Sequence, residues 1–197
     1  MKRTPIYQTI AACFVAFTPV VIAQAEKPME KAPATTAASG LTELVANVHP
    51  VGDSNVKGVV TFQKVPEGVR VTANISGLQP GSKHGFHVHE FGDLTSADAT
   101  SAGGHFNPEG HEHGLPEQEQ RHAGDLGNLE ANSEGVATKT ITVDNITLGH
   151  GQHNILGRAV IVHAKPDDGS QPTGDAGDRI AAGVIGIAQD AKPAPAR

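Results

Sequence analysis

The feature that most constrains the fold of this chain is the spacing of its histidines. His87 and His89 flank a single valine in the segment HGFHVHE, and side chains alternate between the two faces of a strand. The two imidazoles therefore point to one face and form half of a nitrogen-rich metal site. Further candidate ligands follow later in the chain, at His105, His113, His122, Asp125 and His163. A fold that gathers them would complete two sites of imidazole and carboxylate ligands, which suit copper and zinc.

The first 25 residues have the pattern of a secretory signal peptide. Lys2 and Arg3 form a basic start, residues 9–23 are mostly apolar, and an Ala-Gln-Ala cleavage run ends at Ala25. The apolar stretch is short for a helix that spans a bilayer. The pattern predicts cleavage after Ala25 and export to the periplasm or the cell exterior. The run Ile-Ala-Ala-Cys13 leaves lipid attachment at that cysteine as an alternative.

Cleavage would change both the charge and the disulfide chemistry of the protein. The whole chain has 15 Lys and Arg against 21 Asp and Glu, a formal net charge of −6. Loss of Lys2 and Arg3 leaves 13 basic residues against 21 acidic ones, a net charge of −8. This charge excludes a general nucleic-acid or anionic-membrane role, and we expect no membrane insertion of the mature chain. Cys13 is the only cysteine, so the mature chain has no disulfide.

Composition predicts one domain between two flexible ends. Residues 26–40 are rich in Ala, Pro, Thr and Lys, which is typical of a flexible linker, and the tail 191–197 has the composition of a disordered segment. Residues 41–190 remain, about 150 residues, which is the usual size of one domain. Aromatic residues make up 4% of the chain and tryptophan is absent, so the core must be aliphatic.

Short strand patterns run through this domain, and no helical periodicity dominates. The predicted strands are residues 41–48, 56–65, 68–75, 136–143, 158–163 and 180–187. Turns rich in glycine or proline separate them, which predicts an all-β antiparallel sandwich or barrel. Two long loops, at about 90–121 and 164–179, lack strand character. They contain or flank the candidate ligands and are therefore predicted to be functional.

Four motifs, in this order, closely resemble those of copper/zinc superoxide dismutases. They are HGFHVHEFGD at 84–93, SAGGHFNP at 101–108, HAGDLGN at 122–128 and GDRIAAGVIG at 177–186. The resemblance extends over roughly residues 42–189. It implies an all-β fold, a flattened eight-stranded Greek-key barrel of the immunoglobulin-like sandwich type, with two long functional loops.

The resemblance also implies a role for each candidate residue. The implied copper ligands are His87, His89, His105 and His163, and the implied zinc ligands are His105, His113, His122 and Asp125. Arg179 would guide and hold an anion beside copper, so Arg179 and the bridging His105 are the implied catalytic residues. Asp167 would link a copper ligand to a zinc ligand without binding metal. His84 would support the site, also without binding metal.

The implied activity is the dismutation of superoxide to oxygen and hydrogen peroxide, by alternate reduction and reoxidation of copper, with zinc in a structural role. The biological role would be antioxidant defence outside the cytoplasm, and the family contains homodimers as well as monomers. An exported protein that sequesters copper and zinc is one alternative, but storage requires neither Arg179 nor a shared His105. A structural or chaperone-like domain is another, and the complete ligand sets argue against it.

The chain departs from the family pattern at two places. The positions that the family usually joins by a disulfide are Ala99 and Ala182 here, so we predict that metal binding and packing around these alanines provide the missing stability.

The loop 164–178 is shorter than in the familiar members, and its charged side chains are more often acidic than basic. They are Lys165, Asp167, Asp168, Asp175 and Asp178. The sequence therefore predicts weak long-range attraction of an anionic substrate.

Overall fold

The computed structural model describes residues 41–189, in which eight β-strands form nearly all of the regular structure. The strands are β1 (Glu43–Pro50), β2 (Lys57–Val65), β3 (Gly68–Ser76), β4 (Lys83–His89), β5 (Asp125–Glu130), β6 (Ala137–Val143), β7 (Ala159–His163) and β8 (Arg179–Ile187). One turn of 3-10 helix, Thr100–Ala102, lies in the loop between β4 and β5. Every pairing between these strands is antiparallel, which confirms the predicted all-β class.

The strands form a single sheet in the order β5-β4-β7-β8-β1-β2-β3-β6. The neighbours β3 and β6, and likewise β4 and β7, are distant in sequence, so long connections cross between parts of the sheet as in a Greek key. Strands β5 and β6 lie at the two ends of this order and contact each other, which nearly closes the sheet into a barrel. The predicted eight-stranded Greek-key barrel is confirmed.

Alternating strand residues build a mostly aliphatic core inside the barrel. On β3 the buried positions alternate with more exposed ones, and the buried residues are Val69, Val71, Ala73 and Ile75. Phe62 and Phe86 are the aromatic residues among the largest fully buried side chains. The low aromatic content of the sequence is therefore reflected in a core of branched aliphatic residues.

Strand β4 does not show this alternation, because both of its faces are covered. Its last six residues are all buried. Phe86 and Val88 belong to the hydrophobic core, so His87 and His89 point to the opposite face. On that face the long loops after β4 and after β7 cover the strand. The histidine spacing thus places two imidazoles under the loops, where the other candidate ligands lie.

The predicted signal peptide (1–25), linker (26–40) and disordered tail (191–197) lie outside the described residues. These assignments, and the domain boundaries at 41 and 190, stay predictions. Within the described part of the chain, no helix has the length and apolar character needed to cross a bilayer.

Candidate metal centre

Seven buried side chains from several parts of the chain converge on the outer face of β4. Strand β4 contributes two histidines, β7 ends on a third, β5 begins with an aspartate, and the loop between β4 and β5 carries the rest. In chain order they are His87, His89, His105, His113, His122, Asp125 and His163. Each is at most 7% exposed, so each needs polar partners inside the protein.

These side chains form two groups of four that share one residue. The first group is His87, His89, His105 and His163, and the second group is His105, His113, His122 and Asp125. Within each group, one candidate ligand atom from every residue lies within 4.8 Å of the others. The two groups contain the same residues as the two ligand sets that the resemblance implies. Which metal each group binds stays a prediction.

Hydrogen bonds orient two rings of the first group so that one nitrogen of each faces inward. His89 Nδ1 donates to the carbonyl of Gly103 at 3.0 Å, and His163 Nδ1 donates to the carbonyl of Gly177 at 2.9 Å. The remaining Nε2 atoms lie 3.3 Å apart. Burial lowers the pKa of His163 to about 4 and the pKa of His89 well below its ordinary value. Both rings are therefore neutral at pH 7 and present a lone pair.

Asp167 holds one ring from each group. Its carboxylate oxygens lie 2.8 Å from His87 Nε2 and 2.9 Å from His113 Nε2. Burial would raise the pKa of Asp167, but hydrogen bonds from His113 and His87 hold it well below its usual range. Because an ionised carboxylate only accepts hydrogen bonds, both rings donate to it through Nε2. The side chain therefore lies where the resemblance places it, between a ligand of each group.

The Nδ1 atom of His87 shows that the first group suits a metal ion. Burial lowers the pKa of His87 to about 3, so the ring is neutral, and its single hydrogen is on the Nε2 that faces Asp167. Nδ1 then carries a lone pair, and it is buried without a hydrogen-bond partner. Leaving such an acceptor unsatisfied costs about 1–3 kcal/mol. A cation among the four imidazoles would satisfy it, and this donor set suits copper.

Asp125 is at the centre of the second group. Its Oδ1 lies 2.8 Å from His105 Nδ1 and 3.3 Å from His122 Nδ1, and its Oδ2 lies 3.0 Å from His113 Nδ1. The backbone N–H groups of Gly114 and His122 donate to Oδ2. Burial would raise the pKa of Asp125, but the adjacent imidazoles of His105, His113 and His122 hold it well below its usual range, so the carboxylate is ionised. Three imidazoles and one carboxylate suit zinc.

In the absence of metal, the second group holds a proton at His113. Burial would lower the pKa of this ring, but Asp125 and Asp167 on either side raise it to about 9. Its buried Nδ1 lies 3.0 Å from Asp125 Oδ2 at an angle that gives no hydrogen bond. The two carboxylates thus favour a positive charge on the His113 ring, while its Nδ1 has no hydrogen-bond partner. A divalent cation that displaced the proton would satisfy both requirements.

His105 belongs to both groups. Its Nδ1 faces Asp125 and His122 in the second group, and its ring centroid lies 4.0 Å from that of His87 in the first group. An isolated backbone bridge between His89 and His105 holds the loop against β4. Because the two nitrogens of an imidazole point in diverging directions, one ring can be a ligand in both groups.

Arg179 lies beside the first group, at a small cavity. Its guanidinium donates to the carbonyl of Ala99 and, at 2.6 Å, to that of Gly103. The cavity has a volume of about 170 Å³, and its lining includes Arg179, His89, His105 and His163. It has room for only a few water-sized molecules, since each occupies about 30 Å³ in the liquid. The cavity therefore suits a small anion.

His84 lies outside both groups and contacts the end of β7. Its Nδ1 donates to the carbonyl of His163 at 2.7 Å, and its Nε2 lies 2.6 Å from Ser82 Oγ. These contacts hold the backbone of one first-group residue. The supporting role of His84 stays a prediction.

Sequence reasoning missed the groups that orient the ligands and the guanidinium. The carbonyls of Ala99, Gly103 and Gly177 accept hydrogen bonds from Arg179, His89 and His163. Backbone carbonyls have no signature in a sequence, although the glycine-rich runs around them indicated ordered turns. Sequence reasoning also assigned no role to Asn128, which pairs with the backbone of Asp167; its place in the HAGDLGN motif was the available signal.

The two alanines at the family's disulfide positions lie in one small buried cluster. Ala99 and Ala182 are 2% and 3% exposed and pack with Ala102, Ala159 and Ile161. Ala99 has a φ of 58°, in the left-handed region that few residues with a Cβ adopt. This conformation presents its carbonyl to Arg179. Apolar packing and two hydrogen bonds from the Arg179 guanidinium, to the carbonyls of Ala99 and Gly103, therefore connect the loop after β4 to β8.

Comparison with known proteins identifies the family. The family model for copper/zinc superoxide dismutase matches residues 56–185. The chain is 50% identical over 148 residues to superoxide dismutase (Cu-Zn) 3 of Arabidopsis thaliana, an alignment that covers 71% of this chain and 88% of the relative. It is 49% identical over 147 residues to superoxide dismutase (Cu-Zn) of Neurospora crassa, with 70% and 94% covered.

A solved structure has the same architecture. It is described as the crystal structure of the clock protein EA4, and it matches with a TM-score of 0.68 and 41% sequence identity, over 75% of this chain and 96% of that chain. The chain therefore belongs to the copper/zinc superoxide dismutase family. Family membership confirms the predicted enzyme class and the predicted cofactors, copper and zinc.

Proposed function

We propose that this chain dismutates superoxide outside the cytoplasm, with copper in the first group, zinc in the second group and His105 as the bridge between them. One observation carries the assignment: two ligand groups share an imidazole beside a small cavity that holds a fixed guanidinium. Two superoxide ions and two protons would give one dioxygen and one hydrogen peroxide. Bound copper would supply the one-electron redox chemistry, which zinc lacks.

Arg179 would attract and hold the anion. The carbonyls of Ala99 and Gly103 fix both terminal nitrogens of the guanidinium, so its charge stays beside the histidines that line the cavity. A guanidinium keeps its charge at every physiological pH and offers several donors in a rigid plane. Its remaining donors are therefore available to a small anion in the cavity.

His105 would hold and deliver a proton. Burial lowers the pKa of His105 although Asp125 opposes the shift, so the ring is neutral at pH 7. Its Nδ1 faces Asp125, and the ring also lines the cavity. Nε2 is therefore the atom that can take up a proton and pass it to the reduced product.

The test is superoxide dismutation by the purified protein loaded with equal copper and zinc. His163→Ala removes a nitrogen from the first group alone, and the matched control is His49→Ala, which changes an exposed histidine outside both groups. We expect copper-dependent turnover in the parent and in His49→Ala, and its loss in His163→Ala with zinc binding retained. Full binding of both metals with negligible turnover in the parent would instead favour a sequestering protein.

The proposed location is the periplasm or the cell exterior, reached through cleavage of residues 1–25. The basic start, apolar stretch and Ala-Gln-Ala run support this proposal. Expression of the full chain in a bacterium, followed by fractionation and N-terminal sequencing, should give a periplasmic protein that begins at Glu26. A membrane-associated product that begins at a modified Cys13 would show lipid attachment instead.

A homodimer is the proposed assembly, and exposed apolar side chains support it. Among the described residues, the exposed large hydrophobics are Val59, Phe91, Val184 and Ile187, of which two belong to β8. The segment after β4 lies against that strand, since a methyl group at Gly92 would be 3.1 Å from Val184. Sedimentation equilibrium should show a dimer that Val184→Lys dissociates. A monomeric parent protein would disprove the assembly.

A further inference from the structure

The barrel has a seam where no strand pairing joins its two ends. Within residues 41–189, the hydrogen-bonded order of strands begins at β5 and ends at β6, and these two strands contact each other without pairing. Carbonyl groups on the edge of β5 therefore need partners other than a neighbouring strand. Lys139 on β6 provides one, because its Nζ donates to the carbonyl of Asn128 on β5 at 2.9 Å.

Lys139 is closely enclosed at this seam. It is half-buried, and burial lowers its pKa, while the carboxylates of Glu117 and Glu130 act in the opposite direction. At the neighbouring Gly127, an added methyl group would lie 2.9 Å from Pro116 and 3.7 Å from Lys139 Nζ. The ammonium group thus lies beside the backbone of β5, next to the Asn128 carbonyl that accepts its hydrogen bond.

The side chain of Asn128 pairs with the backbone of Asp167. Asn128 Nδ2 donates to the Asp167 carbonyl at 2.8 Å, and the Asp167 N–H donates to Asn128 Oδ1 at 2.8 Å. Two bonds to one residue fix both its position and its orientation. The carboxylate of Asp167 in turn holds His87 in the first group and His113 in the second.

We propose that Lys139 is a positioning residue for the metal centre, and that it acts through Asn128 and Asp167 on the rings of His87 and His113. The proposal rests on the proposed function, since it assumes that the second group binds zinc. A lysine that only stabilised the barrel would change the melting temperature and leave the zinc affinity unchanged. A lysine that positions Asn128 changes the zinc affinity, because a shift of Asp167 turns the His113 ring.

The test measures zinc binding to the copper-free protein by chelator competition, together with the visible spectrum of cobalt in place of zinc. Lys139→Met keeps the hydrocarbon stem and removes the donor. We expect the zinc Kd to rise about 3- to 10-fold and the cobalt bands to shift, since outer partners of metal ligands typically control affinity by 10- to 100-fold. Lys139→Arg, which keeps a donor, should return the Kd to within about twofold of the parent value.

Two further variants separate positioning from a general effect on the fold. Lys83→Met is the matched control, because Lys83 is exposed on β4 and pairs with Glu130 at 2.7 Å. It should leave the zinc Kd and the cobalt spectrum unchanged. Asn128→Ala should weaken zinc binding more than Lys139→Met does. The double variant should bind zinc no more weakly than Asn128→Ala alone, because both changes act along one path.

Either of two results would overturn the proposal. The first is a Lys139→Met protein with the zinc Kd and cobalt spectrum of the parent. The second is a double variant in which the losses of zinc affinity from Lys139→Met and Asn128→Ala add fully. If Lys139→Met does not fold, Lys139→Leu removes the same donor with another apolar side chain. A parent protein that binds no zinc would refute the proposed function itself, which distinguishes that failure from a failure of the role of Lys139.

Discussion

At the scale of single residues, the centre depends on which nitrogen each ring presents. His89 and His163 give their Nδ1 hydrogens to backbone carbonyls, so Nε2 faces inward. His87 gives its Nε2 hydrogen to Asp167, so Nδ1 faces inward. The same residue type therefore presents different atoms, because the acceptor beside each ring fixes its tautomer.

The charge at Arg179 should control the rate without controlling metal content. Arg179→Gln removes the fixed positive charge beside the cavity, and a cleft lined by charges of one sign raises association rates by about 10- to 1000-fold. We expect kcat/KM to fall about 10- to 100-fold while copper and zinc contents stay at the parent values. Metal analysis with stopped-flow kinetics would check this. Unchanged kinetics would show that Arg179 does not act on the anion.

The raised pKa of His113 should make zinc binding depend on pH. Below a pKa of about 9 this ring carries a proton that zinc must displace. The apparent zinc affinity should therefore rise about tenfold per pH unit from pH 7 to 9, with one proton released per zinc. In the metal-free protein the same proton stabilises the fold at low pH, and this contribution is lost as the pH rises through 9.

Calorimetry in two buffers of different ionisation enthalpy would count the released protons. An affinity that stays flat above pH 7 would contradict the prediction, because that is the behaviour of a histidine with an ordinary pKa.

At the scale of elements, the loop after β7 folds so that its own backbone passes close to the carboxylate of Asp167. Its backbone turns at Gly174, with a φ of 72°, where an added methyl group would lie 2.0 Å from Asp167 Oδ1 and 2.9 Å from His113 Nε2. The glycine therefore leaves the space in which the carboxylate holds two rings. Strand β4 supplies one of those rings, His87, and the loop between β4 and β5 supplies the other, His113.

Gly174→Ala should weaken metal binding beyond its cost to the backbone. The matched control is Gly81→Ala, because Gly81 has a φ of 76° and no atom within 4 Å of an added methyl group. Both variants should lose about 1–2 kcal/mol of stability from the left-handed conformation. Gly174→Ala alone should also lower the zinc affinity at least about tenfold. Equal zinc affinities in the two variants would contradict this interpretation of the loop.

At the scale of the whole molecule, metal binding and packing replace a covalent link. The described residues contain no cysteine, and the loop after β4 is joined to β8 by the alanine cluster and by Arg179. The chain-entropy model assigns about 4–5 kcal/mol to a disulfide that closes a loop of this span. This protein lacks that contribution, and without metal the loop is held to β8 by the alanine cluster and the bonds of Arg179 alone.

Removal of both metals should therefore lower Tm strongly. A metal present at about a thousand times its Kd adds about 4 kcal/mol to the stability of the fold. For a domain of this size, that corresponds to about 8–16 °C in Tm. Calorimetric melts before and after dialysis against a chelator would measure the difference. A metal-free Tm within about 3 °C of the loaded value would contradict the prediction.

Long-range attraction of the substrate should be weak. The chain has a net charge of −6, and the one lysine of the loop after β7, Lys165, pairs with Asp175 at 3.4 Å. We expect kcat/KM to change by less than about twofold between 10 and 150 mM salt, a range over which charge screening increases severalfold. A steep fall with added salt would show a dominant positive field at the cavity.

The strand class, the aliphatic core and the candidate ligands could all be predicted from the sequence. The strand patterns of β1, β2, β3 and β6, the short apolar runs of β7 and β8, and the shared face of His87 and His89 are all local properties of their segments. The four motifs then indicated the family without any coordinates. These inferences succeeded because the relevant physics acts between residues a few positions apart.

How the candidate ligands meet, and which groups orient them, became visible only in the folded structure. The contacts of Asp167 with His87 and His113 span 80 and 54 residues. The seam contact between Lys139 and Asn128 joins two strands that do not pair with each other. The ring orientations depend on backbone carbonyls that every residue has. Such contacts leave no pattern in a sequence, because they arise from the packing of distant segments rather than from the order of residues within one.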